Sequence, residues 1–301
     1  MVAGERTPRS LRFGTALRHH ARAGVDQQQF GYDAVTLAAL VGTQIPDIVV
    51  GTSVVPIHPR HPIHLAGAAK TAAAATGNRF QLGVGLGAPA FTAPTFGVDP
   101  GPTIPALRDY LTALRSLLDG SDEPFHGDTL ISAPPISTRV AGVDTPIPLV
   151  VAAMGPRALQ ATGELADGTL PFLAGPKAIR DVIVPTIAAA ARKAGRVAPR
   201  VIAAVPAVIT DDVDAARAAA YSAGEFYDHI PSYQRIIAAS GHERAGDLFL
   251  IGDESTVLAG LQEYLDAGAT ELTITQADLV GDDARARTWA SIGAWHTDGA
   301  H

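Results

Sequence analysis

Residues 153–157 (Ala-Met-Gly-Pro-Arg) contain the residue types best suited to bind an anion. They follow an apolar strand pattern and run through Gly155 and Pro156 directly into a helical pattern. Amides in the first turn of a helix have no carbonyl partner within the helix, and the helix dipole adds positive charge there, so the turn favours a phosphate group. The Arg157 guanidinium would strengthen such a site. The alternative is an ordinary strand-to-helix turn with a solvated arginine.

A glycine-rich run after the strand pattern of residues 80–82 is a second candidate. Gly83, Gly85 and Gly87 alternate with apolar residues. The third glycine comes one residue too early for the Gly-x-Gly-x-x-Gly pattern of dinucleotide-binding folds, and Pro89 interrupts the helix that should follow. We therefore reject a Rossmann nucleotide site. Two interpretations remain: the glycines let another part of the backbone approach closely, or they leave room for a planar ligand.

Two histidines lie in a proline-rich segment after the strand pattern that ends near Val55. His58 and His61 alternate with three prolines, which hold loop side chains rigidly. A histidine exchanges protons near neutrality, so either residue is a candidate proton partner, and a hydrogen-bonded structural role is the alternative. No carboxylate lies at ligand-like spacing, so we predict no metal site. The chain has no Gly-x-Ser-x-Gly motif and no cysteine, which argues against a serine or cysteine nucleophile.

The elements that must position these residues alternate between short apolar runs and alanine-rich helical patterns. The predicted strands are residues 48–55, 80–85, 147–154, 169–173, 200–210 and 271–275. The clearest predicted helices are residues 105–119, 185–194 and 254–267. Strands that are apolar on both faces and alternate with helices indicate a parallel α/β sheet, either doubly wound or closed into an eightfold barrel. Residues 121–145, rich in proline and glycine, are predicted to form an insertion loop.

Composition restricts the classes of partner. The 301 residues are 47% hydrophobic and 18% charged, which is typical of an ordered globular protein, and the net charge is −7 without any lysine- or arginine-rich block. Nucleic acid is therefore not an expected partner. The N-terminus has no apolar run of signal-peptide length, and no apolar stretch of the chain reaches the length of a membrane span. We predict a cytoplasmic protein with a small-molecule substrate and no membrane partner.

Several motifs, taken in order, resemble the luciferase-like monooxygenase superfamily. They are residues 51–56, 59–62, 79–87, 152–157, 164–168, 251–253 and 266–270. Residues 30–34 and 231–233 resemble the branch that is usually assigned to coenzyme F-420, a deazaflavin. The similarity covers about residues 29–275.

This resemblance implies one luciferase-like (β/α)8 TIM barrel over residues 1–301, without a metal ion, whose cofactor lies across the carboxyl-terminal mouth. It also implies a non-prolyl cis peptide bond between Ser53 and Val54, where the strand bulges against the ring of the cofactor. The expected cofactor contacts are Thr52, Ser53, Val54, Leu86, Gly87, Ala88, Ala153, Met154, Gly155, Pro156 and Arg157. Residues 1–28 are too few for the first strand, helix and second strand of the family, so we expect a shortened or incomplete N-terminal βαβ region.

The leading hypothesis is an F-420-dependent oxidoreductase that transfers a hydride to or from a small organic substrate, with His61 or His58 as proton partner. Relatives that oxidise sugar phosphates carry glutamate at the position of Ala88 and an Asp-His pair near residues 28–29. This chain has alanine at the first position and two glutamines at the second, so we do not predict a sugar phosphate as its substrate. The alternatives are an FMN-dependent luciferase-like monooxygenase and a catalytically inactive cofactor-binding remnant. The resemblance also implies a homodimer as the common assembly.

Overall fold

The computed structural model describes residues 22–25, 31–87, 89–97, 99 and 101–298. The strands are β1 (Arg22–Val25), β2 (Val49–Thr52), β3 (Val55–Pro56), β4 (Phe80–Gly85), β5 (Phe125–His126), β6 (Ile131–Ser132), β7 (Leu149–Ala152), β8 (Gly168–Thr169), β9 (Arg200–Ile209), β10 (Leu250–Gly252) and β11 (Glu271–Thr275). Most of the predicted N-terminal region, residues 1–28, lies outside the described residues, as does Ala88.

Helices connect the strands of the parallel sheet. They are α1 (Ala34–Gln44), α2 (Pro62–Ala75), α3 (Pro89–Phe96), α4 (Thr103–Leu118), α5 (Pro156–Leu165), α6 (Pro176–Ala178), α7 (Val184–Lys193), α8 (Val213–Asp228), α9 (Pro231–Ala239), α10 (Glu254–Asp266) and α11 (Asp282–Asp298). A π-helical turn (Ile179–Ile183) joins α6 to α7, and a 3-10 turn (Ala245–Leu248) precedes β10. Within the described residues, no helix is both long and apolar enough to cross a membrane.

The main sheet is parallel, and its neighbours follow chain order from β1 through β2, β4, β7 and β8 to β9. β3 extends the β2 side of β4, and β9 pairs with β11 along residues 202–206 and with β10 along residues 207–209. The predicted parallel α/β class is therefore confirmed. Where a closed (β/α)8 barrel was expected, the described strands form a curled half-barrel, since no ladder joins β1 to β11 among them.

Most of the predicted elements are present with shifted ends. The strand at residues 80–85 is confirmed, and the helical stripe of α4 is buried as its spacing predicts. The continuous strand predicted for residues 48–55 is wrong, because it breaks between β2 and β3. The strand predicted for residues 169–173 is reduced to β8 and one bridge from Phe172 to Ala204. The predicted insertion contains the antiparallel pair of β5 and β6, and β10 was not predicted.

The interior of the half-barrel is apolar in its middle and polar at the amino ends of the strands. Val150, Leu170, Ile202 and Ala204 form a buried cluster in the middle. At the amino ends, Arg200 on β9 binds Glu271 on β11 with an Nη2–Oε2 distance of 2.6 Å, and it donates across the interior to Gln81 on β4. Polar side chains therefore fill the bottom of the half-barrel, and the carboxyl-terminal mouth is left as the place for a ligand.

Candidate functional site at the carboxyl-terminal mouth

Three neighbouring strands bring the predicted cofactor contacts to one edge of the sheet. β2, β4 and β7 are adjacent and parallel, so their carboxyl ends meet at the mouth. Thr52 ends β2 and residues 53–54 follow it, residues 86–87 follow β4, and residues 153–157 follow β7. Three segments that are distant in the chain are thus gathered by the register of the sheet. The predicted contact Ala88 lies outside the described residues.

The first of these segments is a bulge in a parallel ladder. Gly51 pairs with Gln81 and Val55 pairs with Val84, so three residues (52–54) on one side lie opposite two residues (82–83) on the other. The extra residue interrupts the ladder and re-aims the side chains beside it, as bulges near binding sites commonly do. The peptide bond between Ser53 and Val54 is cis, which confirms the bond implied by the resemblance.

The side chain of Thr52 replaces the ladder hydrogen bonds that the bulge removes. Its hydroxyl donates to the carbonyl oxygen of Gly83 at 2.8 Å and accepts from the amide of Gly83 at 2.9 Å. Both contacts are buried, because only 2% of Thr52 is exposed. With these bonds formed, Thr52 holds the bulge in place, and its hydroxyl is already used by the protein backbone.

The same bulge explains the first two glycines of the glycine-rich run. A Cβ atom on Gly83 would lie 2.0 Å from the carbonyl oxygen of Thr52, and one on Gly85 would lie 2.7 Å from a methyl group of Val54. Protein atoms therefore fill the space beside both glycines, which decides between the two interpretations in favour of close backbone approach. Gly87 differs, since it is exposed at the mouth and has a φ of +68°, which suits glycine.

The anion site predicted at residues 153–157 forms the N-terminus of α5. Gly155 is the N-cap residue, no side chain caps the helix, and its first turn has no acidic residue. A Cβ atom on Gly155 would meet nothing within 4 Å, so the approach to the turn is open. Arg157 is exposed and makes no ion pair with any residue that the structure describes. The turn thus offers uncompensated positive charge, the local condition for binding a phosphate group.

Asp167 fixes the strand and helix that carry this turn, and its role was not recognised in the sequence. Its Oδ2 accepts from the backbone amide of Leu149 at 2.8 Å and from Arg115 at 2.6 Å, while its Oδ1 accepts from Arg196 at 2.9 Å. One carboxylate therefore joins the start of β7 to α4 and to the segment after α7. The sequence offered one indication of this role: Asp167 is a single acidic residue between the apolar Ala166 and Gly168, the first residue of β8.

His61 is engaged in a structural role. It is the N-cap residue of α2, where its Nδ1 accepts from the amide of Ile63 at 3.3 Å. Its Nε2 lies 2.8 Å from the carbonyl oxygen of Ile131 in β6, so this nitrogen donates the hydrogen bond. Both ring nitrogens thus hold α2 and the insertion in place. The geometry favours the structural alternative for His61, and its catalytic role remains a prediction.

His58 is in a different environment. It follows β3 at the carboxyl-terminal mouth, is half-buried, and has no hydrogen-bond partner among the described residues. Burial lowers the pKa of its imidazole below the ordinary value of 6.5, because a charged ring would be poorly solvated there. The ring is therefore neutral at pH 7, with both nitrogens available for exchange with a ligand or solvent. Of the two histidines, His58 fits the predicted proton partner better.

The lowered pKa of His58 predicts an acid-dependent loss of stability. As the pH falls, the unfolded chain takes up a proton on His58 before the folded protein does, so stability decreases from about pH 6.5 down to the folded pKa. We expect the melting temperature of His58→Gln to fall less steeply than that of the wild type between pH 7.5 and pH 5. The exposed His64 supplies the matched control His64→Gln, which should keep the wild-type slope. Identical slopes for wild type and His58→Gln would contradict the assigned environment.

Taken together, the curled parallel sheet, the bulged strand and the open helix N-terminus define a parallel α/β half-barrel with a candidate ligand site at its carboxyl-terminal mouth. The model of the luciferase-like monooxygenase family matches residues 15–271, and the chain belongs to this family.

Known proteins with similar sequence or structure include several enzymes. A 5,10-methylenetetrahydromethanopterin reductase from Methanolobus tindarius is 30% identical over 187 residues, which cover 62% of this chain and 55% of that enzyme. The structure of a coenzyme F-420-dependent tetrahydromethanopterin reductase from Methanopyrus kandleri aligns with a TM-score of 0.69 and 21% identity, covering 90% of this chain and 89% of that one.

Two further structures share the fold. An F-420-dependent secondary alcohol dehydrogenase, in complex with an F-420-acetone adduct, has a TM-score of 0.69 and 18% identity, with coverage of 81% and 78%. The oxygenating constituent of 3,6-diketocamphane monooxygenase from Pseudomonas putida, in complex with FMN, has a TM-score of 0.64 and 16% identity, with coverage of 84% and 81%. At these identities the likeness of the structures concerns the fold.

Proposed function

We propose that this protein is a coenzyme F-420-dependent oxidoreductase that transfers a hydride to or from a small organic substrate. The observation that carries the proposal is the convergence of the bulge, the β4 end and the N-terminus of α5 at one edge of the mouth. The relative from Methanolobus tindarius and two of the structural neighbours are reductases or dehydrogenases, and those two neighbours depend on coenzyme F-420.

The residues of the mouth fit the phosphate-bearing part of such a coenzyme. Arg157 has no anionic partner among the described residues, and the first amides of α5 lack both a side-chain cap and an acidic neighbour. A phosphate group would satisfy these donors and would be favoured by the helix dipole. Ala153 and Met154 would then line the path from the phosphate towards the interior.

The bulge and the β4 end fit the planar part. Val54 stands over Gly85 at the rim of the interior, and Leu86 and Gly87 continue β4 into the mouth. These apolar surfaces would orient a flat ring and exclude water from one of its faces, with Ser53 beside it on the bulge. The deazaflavin, when bound, supplies the hydride-transfer chemistry, and the chain supplies orientation and phosphate binding. His58 would hold or release a proton at an imidazole nitrogen.

A fluorescence titration with coenzyme F-420, and in parallel with FMN, tests the proposal. We expect micromolar or tighter binding of F-420 by the wild type, and roughly tenfold to hundredfold weaker binding by Arg157→Ala, because a charge-assisted contact to phosphate is lost. Arg192→Ala is the matched control, since Arg192 is exposed at the opposite end of a different helix, α7. Its affinity should equal that of the wild type.

Each outcome of the titration favours one function. Binding of F-420 that depends on Arg157 would support the proposal and its phosphate contact. Tighter binding of FMN would favour the FMN-dependent monooxygenase, a function that the FMN complex of the Pseudomonas putida neighbour motivates. A folded protein that binds neither cofactor would contradict both. Binding of F-420 without turnover of any substrate would favour the inactive cofactor-binding protein.

A further inference from the structure

Three aromatic rings form a continuous surface beside the mouth, which we call the aromatic wall: Phe172, Tyr227 and Tyr233. The Tyr227 and Tyr233 ring centroids are 4.7 Å apart, and Phe172 lies 5.3 Å from Tyr227 and 6.3 Å from Tyr233. All three pairs are edge-to-face, and each ring is only partly buried. The wall combines residues from the segment after β8, from α8 and from α9, so no local sequence pattern predicts that they meet.

Phe172 connects the wall to the interior of the half-barrel. It follows the carboxyl end of β8 and bridges to Ala204 on β9. It packs on the interior cluster that contains Ile202, and Val54 of the bulge packs on the same cluster. Phe172 and Val54 therefore border one region of the mouth, with the proposed cofactor surface on one side and the aromatic wall on the other.

The backbone after Phe172 is held in an unusual conformation. Leu173 has a φ of +54° although it is a leucine and only 1% exposed. A bulky residue rarely adopts a positive φ, and such residues persist where the surrounding structure enforces them, often at binding sites. This conformation turns the chain after Phe172. Leu173 enters the outer core cluster that contains Val208, and the three rings of the aromatic wall pack against the same cluster as partly buried neighbours.

The residues beside Phe172 and Val54 have short side chains. Ala204 is the partner of the Phe172 bridge, and Ala152 pairs with Gly85 at the carboxyl ends of β7 and β4. A methyl group of Val54 covers Gly85, so a ligand on this side of the mouth would contact Val54 rather than the backbone of β4.

We propose that the aromatic wall is the substrate-recognition surface of this site and that the substrate carries a planar aromatic ring bonded directly to the reacting carbonyl or alcohol carbon. The inference rests on the proposed function, which it extends by naming a substrate class. Aromatic rings attract another ring through offset and edge-to-face contacts, beyond the area that is buried. A saturated ring of the same size lacks this attraction, so the wall would distinguish a planar ring from a saturated one.

The test compares two ketones of equal carbon count, acetophenone and cyclohexyl methyl ketone. Their dissociation constants are measured by ligand-observed NMR with the full chain, both with and without saturating F-420. We expect acetophenone to bind the wild type roughly threefold to tenfold more tightly than cyclohexyl methyl ketone. Phe172→Leu and Tyr227→Leu, which retain apolar bulk without a ring, should remove most of this preference. Tyr32→Leu is the matched control, because Tyr32 is 75% exposed and outside the wall.

The outcomes separate this proposal from the proposed function. An unchanged preference in both wall variants would overturn the proposed substrate class, and so would equal binding of the two ketones by the wild type. In either case, binding of F-420 would still support the oxidoreductase proposal. Loss of the preference in a protein that does not bind F-420 would support ring recognition by the wall and contradict the oxidoreductase proposal. If Phe172→Leu does not fold, Tyr233→Leu on α9 provides the same comparison.

Discussion

Gly83→Ala is expected to destabilise the protein by about 3 kcal/mol or more and to remove the candidate site. The added Cβ would lie 2.0 Å from the carbonyl oxygen of Thr52 and 3.2 Å from a methyl group of Val54. The first of these atoms is backbone, so β2 and β4 would have to separate before the methyl group could fit. Separation would also break the two hydrogen bonds between Thr52 and Gly83. Urea denaturation and the F-420 titration measure the two effects.

The matched control is Gly67→Ala. Gly67 lies within α2, and a Cβ atom there would meet nothing within 4 Å. Alanine reduces the entropy of the unfolded chain and favours the helix, so this variant should be as stable as the wild type or slightly more stable. Wild-type stability of Gly83→Ala would contradict the close approach of the bulge to β4.

Asp167→Ala is the second change with a large expected effect, about 2–3 kcal/mol of stability. The substitution leaves the Leu149 amide without its acceptor and removes the carboxylate shared by Arg115 and Arg196. The side chain of Arg115 is only 16% exposed, so its charge would lose its short ion pair in a poorly solvated position. Because Leu149 begins β7, we also expect weaker F-420 binding at the turn that ends this strand.

Asp119→Ala tests whether the effect is specific to Asp167. Asp119 pairs with the same Arg115, but at 3.6 Å and with a side chain that is 51% exposed. Exposed pairs of this kind contribute under about 1 kcal/mol, so this variant should unfold close to the wild-type urea concentration. Equal losses for Asp119→Ala and Asp167→Ala would show that the network around Arg115, rather than the bond to β7, determines stability.

Local sequence patterns determined the elements and the chemistry of their ends. The leucine spacing of α4 predicted its buried face, because a helical repeat of 3.6 residues places those side chains on one side whatever they pack against. The Gly155-Pro156-Arg157 turn predicted an open helix N-terminus, since capping depends on adjacent residues. Strands that are apolar on both faces predicted the parallel sheet, as observed for β9.

Only the tertiary structure decided which surfaces these elements share. Gly83 and Gly85 could have faced a ligand or another part of the backbone. The space beside them is filled by Thr52 and Val54, which lie about thirty residues away in the chain and are placed there by the register of β2 and β3 against β4. Asp167 reaches the amide of Leu149, and Phe172 reaches the rings of α8 and α9, for the same reason. A residue's local pattern fixes its conformation and its side of an element, whereas contacts between distant segments depend on strand order and register, which single-sequence periodicity does not encode.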